Sequence, residues 1–296
     1  MRVIFLAFLA SLASAAVIER QSTPTQIFKG SGALENIAVR SNGQLLVTRF
    51  DAGEVWTVDP STKTGSKLAS FSGVTSMSGI TEVTPDVFAV VGGKYAGGRN
   101  TAGSYGIFKI DLTGASPVTS TIKMIPESTM FNGLTTLDND TVLIGEGKGS
   151  VYRLKVSTGD YSIAITDTTM SPPTSAPIPL GIDGLRYQNG SIYYTNIFKN
   201  SFYKLAIDPA TGKASGKPTS IWTNNGADDL AFGTDGSPYV ALTSGRIAKV
   251  DASNKVSNVA SVSGCTAANF GRTEKDRNTL YVVTSGGAVS AVPNLS

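Results

Sequence analysis

Leu34-Glu35-Asn36-Ile37-Ala38-Val39-Arg40-Ser41-Asn42-Gly43-Gln44-Leu45-Leu46-Val47-Thr48 reads as two short apolar, β-branched strands joined by an Asn-Gly turn. Copies recur to the C-terminus. Met77-Ser78-Gly79-Ile80 leads into Asp86-Val87-Phe88-Ala89-Val90, and Phe131-Asn132-Gly133-Leu134 into Asp140-Thr141-Val142-Leu143-Ile144. Ile182-Asp183-Gly184-Leu185 leads into Gly190-Ser191-Ile192-Tyr193-Tyr194, and Ala227-Asp228-Asp229-Leu230 into Gly236-Ser237-Pro238-Tyr239-Val240. Ala268-Asn269-Phe270 with Thr279-Leu280-Tyr281-Val282-Val283 closes the series. Between the anchors Ile37, Ile80, Leu134, Leu185, Leu230 and Phe270 the steps are 43, 54, 51, 45 and 40 residues. That is the range of a four-stranded propeller blade.

Each copy supplies an axis strand and a second strand. A third strand follows, usually ending in Asp, as in Glu54-Val55-Trp56-Thr57-Val58-Asp59 and Arg246-Ile247-Ala248-Lys249-Val250-Asp251. An outer strand such as Lys67-Leu68-Ala69-Ser70-Phe71 completes the unit. Thr25-Gln26-Ile27-Phe28-Lys29 precedes the first axis strand and has no earlier blade to join, so it is expected to pair with the last blade and remove a free edge. The fold expected is an all-β, six-bladed β-propeller with four antiparallel strands per blade, filling residues 17–296 as one domain.

Residues 1–16 read as a signal peptide: Arg2 is the basic start, Val3 to Ala10 the apolar stretch, and Ala13-Ser14-Ala15 a small-residue cleavage site. The apolar run is too short to span a bilayer, so the mature protein is expected to be secreted or to reside in the secretory lumen, with no membrane partner. Its single cysteine, Cys265, forbids an intrachain disulfide. The net charge of +3 is spread without a basic run, which argues against nucleic acid as partner. The 296 residues include no histidine, which excludes His-based triads and His-ligated zinc. Two sequons, Asn139-Asp140-Thr141 and Asn189-Gly190-Ser191, fall in the short turns after axis strands, on the face opposite the expected pocket.

One residue per blade stands two before each anchor: Glu35, Ser78, Asn132, Asp183, Asp228 and, on the last blade, Ala268. Glu35, Asn132, Asp183 and Asp228 would converge on the central tunnel as oxygen donors for one hard divalent cation such as Ca²⁺. Without a cation, three converging carboxylates would repel, and one or more would hold a proton. The alternative is a set of polar strand starts bonding neighbouring blades around a water-filled tunnel.

The six-fold pattern, the Asp-Gly-Leu and Asp-Asp-Leu strand starts, and Thr266-Ala267-Ala268-Asn269-Phe270-Gly271 before Leu280-Tyr281-Val282-Val283-Thr284-Ser285 resemble the senescence marker protein/gluconolactonase (regucalcin-like) family of six-bladed propellers. The resemblance implies a divalent cation at Glu35, Asp183 and Asp228, with Asn132 assisting. Blade one departs from the lactonase pattern of Glu-Gly-Pro or Glu-Ser-Pro, having Glu35-Asn36-Ile37-Ala38-Val39, and Asp183 stands where the family has Asn. The Asn36-Ile37-Ala38-Val39-Arg40 segment with the signal peptide is more similar to a secreted fungal branch that includes hetero-Diels-Alderases of secondary metabolism, which join a tropolone-type quinone methide to a terpene alkene.

The loops around the mouth of the tunnel would supply a mixed lining. Met77, Met130, Phe131, Met170 and Trp222 come from the loops before axis strands, with the Pro-rich segment from Ser171 to Pro179 as a wall. Arg49, Phe50, Lys94, Tyr95, Arg99, Glu146, Lys148, Asn196, Phe198 and Lys199 come from the loops between second and third strands. Each aromatic also suits packing between blades. Apolar walls with a few donors suit a bulky small molecule and no organic cofactor.

Three function classes follow. A pericyclase would hold heterodiene and alkene in a near-attack pose, with Arg49, Lys94 or Lys199 donating to the heterodiene carbonyl and Glu35 or Asp183 protonating a leaving hydroxyl. Phe50, Tyr95, Phe131, Asn196, Phe198 and Trp222 would line that pocket. A metal-dependent lactonase or phosphotriesterase would use the cation to polarise substrate, with Asp228 or a water attacking. A binding propeller would hold the cation for structure alone.

Overall fold

The computed structural model describes residues 21–295; the expected signal peptide over residues 1–16 lies outside the described residues. Six four-stranded antiparallel sheets form a ring of blades, as the repeat predicted. In blade 1 the strands run outward from the axis in chain order, Leu34–Val39, Leu45–Arg49, Glu54–Asp59 and Thr64–Ser70. Blades 2 to 5 repeat this order from axis strands Ser76–Thr84, Phe131–Asp138, Ile182–Gln188 and Ala227–Phe232. Blade 6 has Cys265–Phe270, Leu280–Thr284 and Ala288–Val292, and its outer strand is Thr25–Lys29 from the start of the domain. Thr25 pairs with Ala291 and Lys29 with Ala288, so the two chain ends close the ring through a backbone ladder.

Local chemistry explains the regularity. Asp59 and Asp111 end third strands and Asp208 and Asp251 follow them closely, and each carboxylate accepts the backbone N–H two residues on, at 2.8 to 3.1 Å. The Asp seen at these points therefore caps the turn into the outer strand. Neighbouring blades meet through apolar residues of alternating exposure. Ala38 and Leu46 of blade 1 pack with Ile80, Phe88 and Val90 of blade 2, while Ala267, Tyr281 and Val283 of blade 6 pack with Ile37, Val39 and Val47 of blade 1. Each fully buried aliphatic side chain contributes about 1.5–3 kcal/mol, which makes blade-to-blade burial the principal stabilising term.

A register shift sits at the start of every axis strand, between Leu34 and Ile37, Met77 and Ile80, Phe131 and Leu134, Ile182 and Leu185, Ala227 and Leu230, and Cys265 and Ala267. The bulge re-aims two consecutive side chains that an unbroken strand would send to opposite faces. Its freed backbone N–H is satisfied from the second strand in two blades. Thr48 Oγ1 accepts from Asn36 N at 2.9 Å, and Thr195 Oγ1 from Gly184 N at 2.8 Å.

The register also corrects the sixth blade. Cys265 pairs with Thr284 as Leu34 pairs with Arg49, so Ala268 corresponds to the anchor Ile37 and Thr266 to Glu35. Thr266 Oγ1 donates to Leu34 O at 3.0 Å, the bond that Ser78 Oγ makes to Phe131 O at 3.2 Å. The sixth ring member is Thr266, and Ala268 is the core anchor.

Candidate functional site

The axis positions bring Glu35, Asp183 and Asp228 together, with one carboxylate oxygen of each within 4.8 Å of the others. Asp183 is buried, whereas Glu35 and Asp228 keep part of their surface accessible. Asn132 bridges two of the three: its amide Nδ2 donates to Glu35 Oε1 at 3.1 Å and, in a shorter contact, to Asp183 Oδ1. Ser78 and Thr266 complete the ring as hydroxyls bonded to the next blade.

Directly beneath lies a second polar layer built from the other bulge residue. Asp229 Oδ2 accepts from Arg186 at 2.6 Å and from Asn36 Nδ2 at 2.9 Å, while its Oδ1 accepts from Leu230 N at 2.7 Å. The guanidinium also donates to Leu185 O at 2.9 Å. Glycines occupy this second position in blades 2, 3 and 4, where neighbouring backbones come too close for a side chain. A Cβ on Gly133 would lie 2.2 Å from Asp183 O. Below this layer the tunnel widens to a cavity of about 300 Å³ lined by Ile80, Thr81, Leu134, Arg186, Asn269 and Arg272.

Electrostatics separate the layers. Burial pushes the Glu35 carboxyl up to about 7, against the Asn132 hydrogen bond and with a further push from Asp229. Burial raises Asp183 well above the usual carboxylate range, and the charges of Glu35 and Asp229 add to it. Asp228 rises for the same reasons, burial first and then Asp183, Glu35 and Asp229. Asp229 is raised by burial too, but Arg186, the Leu230 amide and Asn36 pull it back. Among the described residues no Lys or Arg bonds to Glu35, Asp183 or Asp228. This donor set fits a hard divalent cation, and in its absence it fits protons.

The mouth above the ring carries an apolar arc from blade 1 to blade 4. Phe50, Ile178, Ile197 and Phe198 are half-buried against one cluster that includes Tyr105, Met130, Phe131 and Leu180. The Phe50 and Tyr95 rings meet at 4.7 Å, with Tyr95 on a small hairpin, Tyr95–Ala96 with Arg99–Asn100, that the repeat did not foretell. Phe131 is fully buried and packs edge-on against Tyr152 at 5.3 Å. Asn196 is a clamp, donating to Thr169 O and Ser171 O at 2.9 Å and so fixing the Pro-rich loop. Glu146 anchors the loop before blade 3 through Thr129 N at 3.0 Å.

The remaining expected residues are placed elsewhere. The Arg49 guanidinium turns outward along blade 1, bound to Asp51 at 2.7 Å and lying 6.0 Å over Trp56. Lys199 Nζ donates to Thr168 O at 2.6 Å, and Lys94 lines a groove with Ser72, Thr101 and Met124 on blade 2. None of the three is brought to the ring. Trp222 sits on the outer strand Thr219–Thr223 of blade 4, against the Phe202 cluster, at the periphery. Met77, Met130 and Met170 are buried in the blade cores. Asn139 and Asn189 are exposed in turns of the lower face, away from the ring.

Sequence reasoning missed Tyr105, whose buried ring lies on Gly93 and whose hydroxyl has no hydrogen-bond partner among the described residues. The Gly92-Gly93 pair ending a strand was its one trace, because glycine there marks a close approach. The layer of Asn36, Arg186 and Asp229 was missed as well, since a bulge leaves no mark in a period-2 pattern.

No protein-family model matches the chain. It is 30% identical over 290 residues to a protein of Phoma sp named "Putative hetero-Diels-Alderase", covering 84% of this chain and 82% of that one. A second relative, "Putative hetero-Diels-Alderase asR5" of Sarocladium schorii, is 25% identical over 84% of this chain and 74% of its own. Among solved structures the fold is similar to regucalcin, a calcium-binding protein of Agrobacterium tumefaciens, with a TM-score of 0.60, 12% identity and coverage of 91% and 97% of the two chains. The chain is a member of the hetero-Diels-Alderase family represented by the Phoma protein, built on a regucalcin-like six-bladed propeller.

Proposed function

We propose that the protein is a pericyclase that performs a hetero-Diels–Alder reaction on a small molecule held across the mouth of the tunnel. Identity of 30% over most of both chains to a relative so named carries the reading. The apolar arc of Phe50, Tyr95, Ile178 and Phe198 above a polar ring agrees with it. In such a reaction a conjugated C=C–C=O unit and an alkene form one C–C and one C–O bond, and no nucleophile is needed. Holding the partners in a near-attack pose removes much of the entropic barrier.

The ring supplies the electrophilic assistance. A protonated Glu35 or Asp228, both still accessible, would donate to the heterodiene oxygen and stabilise charge gathering there. If the heterodiene is a quinone methide formed in place from an ortho-hydroxybenzyl alcohol, Glu35 gives its proton to the departing hydroxyl. Water leaves, the carboxylate takes the phenolic proton, and the acid is regenerated. Glu35, Asp183 and Asp228, with Asn132, would hold a divalent cation, which when bound would act as a Lewis acid at the same oxygen. The favoured partners are a quinone-methide-type heterodiene and a terpene alkene. Secretory passage and glycans on Asn139 and Asn189 belong to the same reading, since both turns face away from the mouth.

The converging carboxylates favour one second reading, a metal-dependent lactonase or phosphotriesterase. One experiment separates the two. Purified protein is supplied with an ortho-hydroxybenzyl alcohol and a medium-ring terpene, and in parallel with an aldonolactone and Ca²⁺. Pericyclase action predicts a faster, single-stereoisomer adduct; an unchanged product ratio with lactone hydrolysis that Asp228→Ala abolishes would replace it with the hydrolase.

A further inference from the structure

The tunnel has a second end. The cavity of about 300 Å³ beneath the Asp229 layer is walled by every blade in turn, through Val39, Thr81, Leu134, Arg186, Phe232 and Asn269. Each of these residues stands later in its axis strand than the ring residue of the same blade, so the cavity lies on the propeller axis and opens on the lower face. It is reachable from solvent. Arg272, which follows the sixth axis strand and lines the rim, has a side chain that is 44% exposed, and Arg186 keeps 14% although the Asp229 carboxyl it holds keeps only 4%.

The polar groups of this cavity are lopsided toward donors. A guanidinium offers five N–H groups. On Arg272 only Nη1 is engaged, donating to Val39 O at 3.0 Å and, in a shorter contact, to Glu82 Oε2; Nε and Nη2 bond to nothing among the described residues. On Arg186 both Nη atoms are engaged, with Leu185 O, Asn36 and Asp229, and Nε is left over and keeps accessible surface. Asn269 Nδ2 makes one long bond, to Ile37 O at 3.4 Å. The carboxylate of the lining is already in use: Glu82 Oε1 accepts from Asp86 N at 2.8 Å and Oε2 from Arg272. Asp229 balances Arg186 from the layer above, so the attraction for a ligand comes from N–H groups without acceptors, with Ile80, Leu134 and Phe232 as apolar walls.

We infer that the lower axial cavity is a binding site for a small organic monocarboxylate, its oxygens on the free N–H groups of Arg272 and Asn269 above the Arg186 floor and its hydrocarbon body against Ile80, Leu134 and Phe232. A planar carboxylate matches the guanidinium fork. The apolar walls favour an acid with a hydrocarbon body over a bare inorganic anion, and a volume at the low end for ligand pockets suits a single ring. The site stands apart from the pericyclase reading, because the Asn36–Arg186–Asp229 layer separates it from Glu35, Asp183 and Asp228.

The test is calorimetric titration of the chelated full chain with benzoate, and with benzyl alcohol as its neutral counterpart. Wild type is expected to bind benzoate with a Kd on the order of 1 mM, and benzyl alcohol about tenfold or more weakly. Arg272→Gln is expected to weaken benzoate about tenfold, and Glu82→Gln, which removes the one carboxylate of the lining, to tighten it. Asp228→Asn, in the ring, is expected to leave the benzoate Kd unchanged, which locates binding below the layer. A wild type that takes up no benzoate, equal affinity for benzyl alcohol, an Arg272→Gln variant that binds like wild type, or binding lost in Asp228→Asn would each overturn the assignment. Should Arg272→Gln unfold with the loss of its bonds to blades 1 and 2, Glu82→Gln decides: tighter binding upholds the site, and unchanged or weaker binding overturns it.

Discussion

Asp228 and Asp229 are neighbours in the chain, both projected toward the tunnel by one bulge, and they live in opposite circumstances. Asp229 has Arg186, Asn36 and a backbone amide on its two oxygens. None of the described residues hydrogen-bonds the Asp228 carboxyl, and Asp183 and Glu35 crowd it. A buried charge that is fully bonded holds structure together; one left uncompensated among like charges is available for a proton, a cation or a substrate. The lower layer therefore reads as the scaffold and the upper ring as the working surface.

The largest effect is expected from unpairing the lower layer. Arg186→Met would strand the Asp229 carboxylate and cost about 3–5 kcal/mol in urea unfolding at pH 7. A loss below about 1 kcal/mol, the scale of an exposed pair, would show that the two layers do not differ in kind. A smaller effect of opposite sign is expected one residue earlier. Asp228→Asn removes a charge from the ring, so in chelator the variant should gain about 1 kcal/mol or somewhat more over wild type. The gain should vanish in millimolar Ca²⁺, which stabilises the wild type by binding its folded state. Equal destabilisation of Asp228→Asn in chelator and in Ca²⁺ would make Asp228 a second Asp229.

The fold was legible because the apolar anchors recur at blade spacing, and in three blades a turn pair follows, Asn42-Gly43, Asn189-Gly190 and Asp235-Gly236. Closure by Thr25–Lys29 followed from counting strands. Five ring positions were legible at the same offset, and the sixth slipped by two. In Thr266-Ala267-Ala268-Asn269-Phe270 the core anchor is an alanine, and the larger Phe270 attracted the alignment. Side-chain direction was the harder matter. Arg49, Lys94 and Lys199 lie in the expected loops, but direction is set by partners such as Asp51 and Thr168 O that lie beyond the repeat. Asn196 and Glu146 were recognisable as polar residues at the mouth, yet three hydrogen bonds on Asn196 and two on Glu146 turn them into loop clamps. Arg186 follows its anchor by one residue, where period-2 reasoning points it into the blade interface; the bulge points it at Asp229.

The absence of histidine makes the central claim, that the upper ring lacks compensating charge, directly measurable. Between pH 5.5 and 7, above the ordinary carboxylate range, the side chains left to titrate in chelated protein are the carboxyls that burial raises, those of the ring and Asp229 beneath it. Glu35 is raised from 4.5 to about 7, and Asp183 and Asp228 are raised from 3.8, so across this window the folded state binds more protons than the unfolded one. Stability must then fall as the pH rises. Carboxylates held low by their partners, such as Asp51 and Asp86, lose their contribution only at more acid pH and leave the window clear. The deciding measurement is the unfolding free energy of chelated wild-type protein from pH 5.5 to 7. A steady decline, shallower in Asp228→Asn, is predicted; a flat or rising profile would contradict an uncompensated ring.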